Sequence, residues 1–416
     1  MRPYNEKISI FHGMASTISS NTSGNFFPIF AMTVLGATNY QVGLLSSMPP
    51  LLALLMTIPA AMMINRAHSQ KKLVAFSVLF ARLLFLAIIG IVYLPSGEIQ
   101  GWAFIVLVAA MNIPNTLAGM GWQALISNTI DEHRRGDFFS DRNRLLTIVG
   151  FASTLLIGIL MKDVSNSAFA FQVLFGVSFC FGLLEVYFLM KHKEETVVLT
   201  AENEKKRIMD WSIFKHSNFV WFLFGALFFN FAWQMAWGIF NIYNVRVAHA
   251  TVFWLSMFSV GSMLAQFLSF PLWKKWAENK SNVSVFVWAA MGMAATPFLT
   301  VLSPNLYWLI FVQTATGFFV AGVTLVLFNL LLEQAPEAKR TYCITTYNVL
   351  LSLVSFAAPQ FGIWLLDTYG IVSSMNVTSV LRFMAAVLFF IISIRYARAS
   401  KPALQVTETA EIAEAT

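Results

Sequence analysis

Long apolar segments separated by short polar ones make up most of the chain. Each is long enough, at about 1.5 Å per residue, to cross a hydrocarbon core of roughly 30 Å as a helix. The strands of a membrane β-barrel need only about ten residues of alternating pattern, so these lengths favour helices. Twelve spans are predicted, at about 8–33, 40–64, 71–94, 101–129, 144–161, 168–190, 217–243, 250–273, 283–303, 305–333, 342–366 and 374–395.

The seventh span carries a polar stripe. Its core, residues 219–243, has 25 residues and no charge. Four of its residues recur at i, i+4, i+7 and i+11 and so share one helix face: Asn230, Gln234, Trp237 and Asn241. An unpaired amide in hydrocarbon costs several kcal/mol. The stripe is therefore predicted to face protein or water and not lipid.

Composition identifies the class of protein. The chain of 416 residues is 57% hydrophobic and 11% charged, with a mean hydropathy of +0.68, whereas a soluble domain has about 25% charged residues. The chain is therefore predicted to be an all-α integral membrane protein. The first apolar run has no small-residue cleavage site and is interpreted as a span. Cys180 and Cys343 form no spaced pair, so neither a disulfide framework nor a metal site is predicted.

The basic residues are distributed unevenly between the loops. Of the 27 Lys and Arg, 23 lie at the termini or in even-numbered loops, counting residues at the very end of a span with the adjoining loop. Lys162 and Arg246 lie in odd-numbered loops, and Arg82 and Arg382 lie inside spans. This is the positive-inside pattern, which predicts that both termini are cytoplasmic. The net charge of +7 therefore needs no nucleic-acid partner to explain it.

The spans group into two halves. The only long polar interruption, 191–216, is interpreted as a cytoplasmic linker between six-helix bundles at 1–190 and 217–398. The polar, acidic segment 399–416 is predicted to be a disordered cytoplasmic tail. A shift of 209 residues places Asn21 and Asn25 of the first span on Asn230 and Gln234 of the seventh. Such matches indicate two parallel halves, as in carriers whose bundles rock about a midplane site.

Two loops carry a family resemblance. The loop after the second span contains Asn65-Arg66 and then basic residues, and the loop after the fourth span reads EHRRGDFFSDR from Glu132 to Arg142. Together with twelve spans and a central linker, they resemble the signatures of the major facilitator superfamily. Asn65 stands where that family has aspartate. The resemblance covers about 1–398 and implies a fold of two six-helix pseudo-symmetric bundles that works by alternating access.

The resemblance also implies gating by these loops. Arginine and carboxylate pairs near helix ends can hold two bundles together in one state and release them in the other. The alternative is that the charges only anchor the topology, and the neutral Asn65 cannot form the usual charge pair. The predicted gating residues are Asn65, Arg66, Glu132, Arg135, Arg142, Glu333 and Arg340.

Ionisable residues inside spans are functional candidates by default. Arg82 on the third span and Glu185 on the sixth lie on helices that the resemblance makes outer supports, so we predict a structural ion pair between them. Arg382 on the twelfth span is expected to extend outward to the interface. Spans 1, 4, 7 and 10, the implied cavity walls, have no ionisable side chain near their middles. The sequence therefore shows no simple proton relay.

Those four spans instead carry amides and tryptophan. Neutral donors and acceptors suit a neutral or amphiphilic solute, through hydrogen bonding and stacking. The alternative is that the amides join helices, at about 0.6–2 kcal/mol each. The predicted substrate-binding residues are Asn21, Asn25, Asn112, Asn115, Gln123, Asn230, Gln234, Trp237, Asn241 and Gln313.

A secondary transporter of a small organic solute, neutral or amphiphilic, follows as the predicted function. Multidrug efflux is the alternative within the class, and a non-transporting receptor or scaffold is the alternative outside it. No metal-ligand spacing, nucleophile elbow or phosphate-binding glycine loop is present, so neither an enzyme nor a cofactor is expected. The expected partners are the solute, the lipid bilayer of a plasma membrane and a proton or sodium ion, with the choice of ion open. We expect a monomer.

Overall fold

A computed structural model describes residues 4–95, 98–130, 132–164, 167–193 and 211–414. Within these ranges, side chains are described for all residues except 127, 128, 132 and 393–414. In the described part the regular elements are all helical. The α-helices are α1 Tyr4–Ser23, α2 Phe27–Thr33, α3 Asn39–Arg66, α4 Gln70–Gly90, α5 Glu98–Thr129, α6 Glu132–Leu160, α7 Ala168–Met190, α8 Ser217–Gln234, α9 Ala236–Ile242, α10 Val252–Asn279, α11 Asn282–Leu302, α12 Leu306–Gln334, α13 Arg340–Tyr369 and α14 Ile371–Glu414.

The helices confirm the all-α membrane fold predicted from the apolar segments. Within the described ranges, eleven helices are long and apolar enough to cross a membrane. The first predicted span is divided into α1 and α2 by a 3-10 turn, Gly24–Phe26. Pro28 lies in the first turn of α2, where its missing amide costs no hydrogen bond.

The second predicted span, α3, begins with a capping box. The Thr38 hydroxyl accepts from the Gln41 amide, and the Gln41 side chain accepts from the Thr38 amide at 2.9 Å. Two of the free amides at the helix start are thereby satisfied. The cap fixes where Asn39, the first residue of α3, leaves the preceding loop.

The chain divides into two compact units. Among described residues, unit 1 contains those up to 193 together with 237–260 and 355–368, and unit 2 contains 211–236, 261–354 and 369–414. Unit 1 therefore includes the described part of the predicted first bundle and two segments of the predicted second half. Residues 194–210 of the predicted linker lie outside the described residues, and Trp211–Lys215 forms a 3-10 turn.

Aromatic side chains fill much of the interior of each unit. In unit 1, Phe30 packs edge-on against Phe104 and Phe175, with ring centroids 5.3 and 5.0 Å apart. In unit 2, the Phe286 and Phe389 centroids are 4.2 Å apart. Association of helices in lipid depends on close packing because the solvent is as apolar as the side chains. These clusters therefore give each unit a rigid interior of its own.

The last helix extends past the twelfth predicted span. α14 runs to Glu414, and disorder of the segment 399–416 stays a prediction. Alanine, glutamate and leucine in this segment have high helix propensity, which explains the continuation.

Candidate functional site

A polar pocket lies inside unit 1, between α1, α4, α5, α6 and α7. Its volume is about 250 Å³. Its lining combines apolar side chains with charges, hydroxyls and an indole. The lining residues are His12, Ser16, Ser20, Val74, Val78, Arg82, Asn115, Ala118, Gly119, Trp122, Arg142 and Glu185.

An ion pair lies at one end of this pocket. Arg82 donates from Nη2 to Glu185 Oε2 at 2.7 Å and from Nε to the same oxygen at 3.2 Å. The His12 Nε2 atom lies 3.7 Å from Glu185 Oε1. All three side chains are buried. A Cβ on Gly182 would lie 2.5 Å from Arg82 Cδ, so this glycine makes room for the arginine.

A second arginine stacks on Trp122. The Arg142 Cζ atom lies 4.3 Å from the Trp122 ring centroid, a cation–π distance. The His12 ring is also stacked on Trp122, with centroids 6.3 Å apart and an interplanar angle of 15°. A Cβ on Gly13 would lie 2.7 Å from Arg142 Nη2. The guanidinium can therefore lie against α1 only because residue 13 has no side chain.

Several polar side-chain atoms around this pocket are buried without a hydrogen-bond partner. They are the donors Nε1 of Trp122 and Nε of Arg142, together with the two ring nitrogens of His12, of which a neutral imidazole donates from one and accepts at the other. An unpaired buried donor costs about 1–3 kcal/mol, so such groups are rare unless they serve a ligand or ordered water. The pocket therefore offers donors to a molecule that enters it.

His192 follows the end of α7 and lies next to His12, outside the lining of the pocket. Its ring lies edge-on to His12, with centroids 6.3 Å apart, and Lys71 Nζ donates to its carbonyl at 2.9 Å. Burial lowers the pKa of His192 below its usual value, although backbone hydrogen bonds at Leu189 and Phe188 act in the opposite direction. This ring is therefore neutral at pH 7.

The predicted binding amides of unit 1 are placed differently from one another. Asn21 donates to the Gly150 carbonyl at 3.1 Å and so joins α1 to α6. Asn112 donates to the Val108 carbonyl of its own helix at 2.8 Å. Asn115 lines the polar pocket. The remaining two, Asn25 and Gln123, are exposed.

The stripe on α8 is buried in unit 2. Asn230 donates to the Ala226 carbonyl at 2.8 Å and to the Tyr347 hydroxyl at 3.4 Å, and Gln234 donates to Asn230 Oδ1 at 3.4 Å. The bond to Tyr347 connects α8 to α13, as expected for amides that join helices, and the other two lie within α8. Substrate binding by these amides stays a prediction. Of the other predicted residues, Trp237 is exposed and Asn241 and Gln313 are half-buried.

Arg382 is enclosed within unit 2, so the expectation that it extends outward is wrong. Its side chain is 1% exposed. It donates to acceptors on two other helices: the carbonyls of Ala232, Trp233 and Met293 at 3.3, 2.9 and 3.0 Å, and the Thr296 hydroxyl at 3.1 Å. These partners could not be predicted from the residue types, because helix carbonyls are potential acceptors at every position.

Unit 1 also contains a closure formed by α3 with α9, α13 and the turn after α9. Asn39 accepts from Arg246 Nη1 at 2.6 Å and donates to Asp367 Oδ1 at 2.7 Å. Gln360 Nε2 donates to Ser47 Oγ at 2.7 Å. These bonds join segments that are more than 200 residues apart in the chain.

Glycines allow the helices of this closure to approach each other. A Cβ on Gly43 would lie 2.6 Å from Ile363 Cγ1, and one on Gly238 would lie 3.1 Å from Ile363 Cδ1. The same Cβ on Gly238 would lie 3.7 Å from the Gly43 Cα atom. The helices meet here almost backbone to backbone.

The predicted gating residues occupy several environments. Asn65 and Arg66 are exposed, and Arg135 donates to the Ile130 carbonyl at 3.1 Å. Glu333 accepts from Asn282, and Arg340 lies 4.0 Å from Glu337. Arg142 lines the polar pocket, and the side chain of Glu132 lies outside the described part. Gating by these residues stays a prediction.

Part of the polar pocket was not predicted from the sequence. No role was predicted for His12, Ser16, Ser20 and Trp122, and Arg142 was predicted only as a gating residue. One signal was present, because residues 12, 16 and 20 recur every four positions and so share one face of α1. The meeting of α1 with α5 and α6 was not visible in the sequence.

Comparisons with solved structures identify the fold. The structure of the nucleoside transporter NupG aligns with a TM-score of 0.75 at 10% identity, over 94% of this chain and 99% of that chain. A bacterial homolog of the human lysosomal transporter Spinster aligns at 0.70 and 13% identity, over 96% and 98%. A D-xylose–proton symporter aligns at 0.69 and 13%, over 92% and 96%. At these identities the likeness concerns the fold alone.

Comparisons of sequence identify the family. The multidrug resistance efflux pump PmrA of Streptococcus pneumoniae is 26% identical over 130 residues, which is 31% of this chain. The match spans only 32% of the length of that relative. The model of the Major Facilitator Superfamily matches residues 10–279, well over half of the chain. The protein therefore belongs to the Major Facilitator Superfamily, and it is a multi-pass membrane protein.

Proposed function

We propose that this secondary transporter moves a small amphiphilic organic solute across the plasma membrane by alternating access, with both termini in the cytoplasm. The observation that carries the proposal is the convergence of unpartnered buried donors on the polar pocket of unit 1. A helix-joining polar cluster would pair its own donors, as Asn230 and Gln234 do in unit 2.

The walls of the pocket support an amphiphilic solute. Val74, Val78 and Ala118 belong to one apolar cluster, and they line the pocket together with His12 and Ser16 of α1. A volume of about 250 Å³ lies below the range of roughly 300–1,000 Å³ that is usual for drug-sized ligands. The pocket therefore suits a small molecule with one apolar and one polar side.

The closure supports alternating access. It is held by a few hydrogen bonds between half-buried Asn39 and the exposed side chains of Arg246 and Asp367, and by contacts at glycines. Exposed polar pairs contribute only about 0–1 kcal/mol each. Such a contact can form and break during a transport cycle, since the two conformations of a carrier differ by a few kcal/mol.

A disulfide across the closure tests this cycle. A Cβ on Gly43 would lie 3.5 Å from Ile363 Cβ, within the spacing of roughly 3.5–4.5 Å that a disulfide needs. The pair Gly43→Cys and Ile363→Cys is placed in a Cys180→Ser, Cys343→Ala background and reconstituted in proteoliposomes. Uptake is measured for a labelled panel of uridine, D-xylose, benzoate, phenyl phosphate and ethidium. Imposed proton and sodium gradients in the same vesicles identify the coupling ion.

Oxidation is expected to abolish uptake of the transported panel member, and a reductant to restore it. The reduced double-cysteine variant and the Ile363→Cys single variant serve as the controls, and Ile363→Cys should transport under both conditions. Undiminished transport by fully cross-linked protein would contradict alternating access at this closure. Folded protein that transports no member of the panel would contradict a small amphiphilic solute.

Multidrug efflux is the second candidate. An apolar cavity of about 620 Å³ in unit 1, lined by α1, α6 and α7, has room for a larger apolar compound. The similarity to PmrA points in the same direction over a third of the chain. Transport of ethidium with no transport of the smaller solutes would favour this alternative.

A further inference from the structure

We propose that the polar group of the solute is an anion, a carboxylate or a phosphate, and that Arg142 binds it. The inference rests on the proposed function and adds the charge class of the substrate. It departs from the neutral solute that the sequence also allowed. That expectation relied on spans 1, 4, 7 and 10, whereas Arg142 lies on α6.

The charges around the pocket do not cancel. Arg82 is neutralised by Glu185 at 2.7 Å. Among the described side chains, no carboxylate lies within 4 Å of the Arg142 guanidinium, and its Nε is buried without a partner. The pocket therefore carries one uncompensated positive charge. A half-buried cation beside an apolar wall attracts an anion and repels a cation, more strongly than in water because the local dielectric constant is low.

The geometry presents that charge to a ligand. Stacking on Trp122 at 4.3 Å and contact with Gly13 hold the guanidinium plane in place. A planar guanidinium offers paired N–H donors that match the two oxygens of a carboxylate or phosphate. The unpartnered donors of His12 and Trp122 lie around the same space. Acceptor oxygens on the solute would satisfy the donors of Arg142 and Trp122 and the protonated ring nitrogen of His12 together.

The ion pair leaves no acid for a competing cationic ligand. Glu185 Oε2 accepts two hydrogen bonds from Arg82, and Oε1 faces His12 at 3.7 Å. A cation that entered the pocket would have to displace Arg82 from a buried contact. The arrangement therefore selects for negative charge.

Binding of matched probes to the purified protein tests the proposal. Benzoate and phenyl phosphate are compared with their uncharged counterparts benzamide and benzyl alcohol, at constant ionic strength in lipid-free detergent. Dissociation constants are obtained from the rise in unfolding temperature with probe concentration. We expect at least one of the two anions to bind about tenfold or more tightly than its neutral counterpart, because a hydrogen bond to a charged group contributes about 1.5–3 kcal/mol.

Two variants with matched controls locate the anion. Arg142→Gln should abolish the preference for the anion, whereas Arg144→Gln, which removes an exposed arginine of the same helix, should keep it. Gly13→Ala retains every charge but places a Cβ where the guanidinium lies, so it should weaken anion binding about tenfold. Gly24→Ala, where a Cβ meets nothing within 4 Å, is its control.

A lipid headgroup is the other source of an anionic phosphate. Nanodiscs of phosphatidylcholine are therefore compared with nanodiscs that contain phosphatidylglycerol. We expect benzoate or phenyl phosphate to bind equally in both. Loss of probe binding in phosphatidylglycerol alone would show that the site takes a headgroup and would overturn the proposal for a solute.

The remaining outcomes also decide the question. Equal binding of the anion and its neutral counterpart, no binding of either anion, or an unchanged preference in Arg142→Gln and Gly13→Ala would each overturn the anionic solute. Uptake of uridine or D-xylose that is lost on cross-linking would then leave the proposed transport function standing. Loss of transport with an intact preference for the anion would contradict the proposed transport function and leave the anion site standing.

Discussion

Among the described side chains, each unit buries one arginine inside its helices, and the two are satisfied in different ways. Arg82 in unit 1 meets a carboxylate, Glu185, at 2.7 Å, beside a pocket with unpartnered donors. Arg382 in unit 2 meets three helix carbonyls and the Thr296 hydroxyl. The charge of the first arginine is neutralised by a carboxylate. The charge of the second is stabilised by dipoles and is not neutralised.

The difference separates two uses of a buried charge in a membrane protein. Carbonyl dipoles stabilise the charge of Arg382 and bind α14 to α8 and α11, and the site needs nothing further. The Arg82 pair carries no net charge, so the field in its pocket is set by Arg142. A buried arginine alone therefore does not indicate a binding site; unsatisfied donors beside a cavity do.

Removing one partner of the unit 1 pair should have the largest effect on stability. Arg82→Met and Glu185→Gln each break the buried pair. The first leaves the Glu185 carboxylate without compensation, and the second leaves the Arg82 guanidinium without compensation. Each is expected to lower the free energy of unfolding by about 3–5 kcal/mol. Chemical unfolding in detergent measures both losses.

The double variant sharpens this result. With both charges gone, no ion is left unpaired, so Arg82→Met with Glu185→Gln should be more stable than the sum of the two single losses predicts. Strictly additive losses would show that the contact at 2.7 Å contributes no coupling.

Arg382→Met should have a smaller effect. The substitution removes donors but leaves no charge behind, and the helix carbonyls keep their intrahelical partners, so we expect a loss of about 2 kcal/mol. Arg340→Met, at an exposed arginine 4.0 Å from Glu337, is the control and should change stability by less than about 0.5 kcal/mol. A loss at residue 382 that equals or exceeds the loss at residue 82 would remove the distinction drawn between the two units.

Gly182→Ala should have the smallest effect of the three. Its Cβ would overlap Arg82 Cδ and Cγ, at 2.5 and 2.6 Å, and push the guanidinium away from Glu185. We expect destabilisation of about 1–2 kcal/mol from this overpacking. Gly176→Ala on the same helix meets nothing within 4 Å and should be neutral or stabilising by up to about 1 kcal/mol. Thermal unfolding of the two proteins side by side compares them, and equal stability would refute the packing role of Gly182.

The fold was predictable from the sequence because membrane helices must be long, apolar and internally hydrogen-bonded. The break after Ser23 was not, since Gly24 and Pro28 lie within an apolar run that reads as continuous. The pairing of Arg82 with Glu185 was inferred because a buried charge needs an opposite one nearby. The pocket was not inferred, because it depends on Gly13, whose missing side chain admits Arg142 from another helix.

The contact of Gly43 with Ile363 makes residue 43 a position at which the volume of a side chain controls the spacing of α3 and α13. Each added methylene would act as a wedge between α3 and α13, since the space is already filled at 2.6 Å from the Cβ position. A series from alanine to tryptophan at this residue would hold the closure apart by graded amounts. Such a series would test how far the spacing of α3 and α13 can change while the protein stays folded.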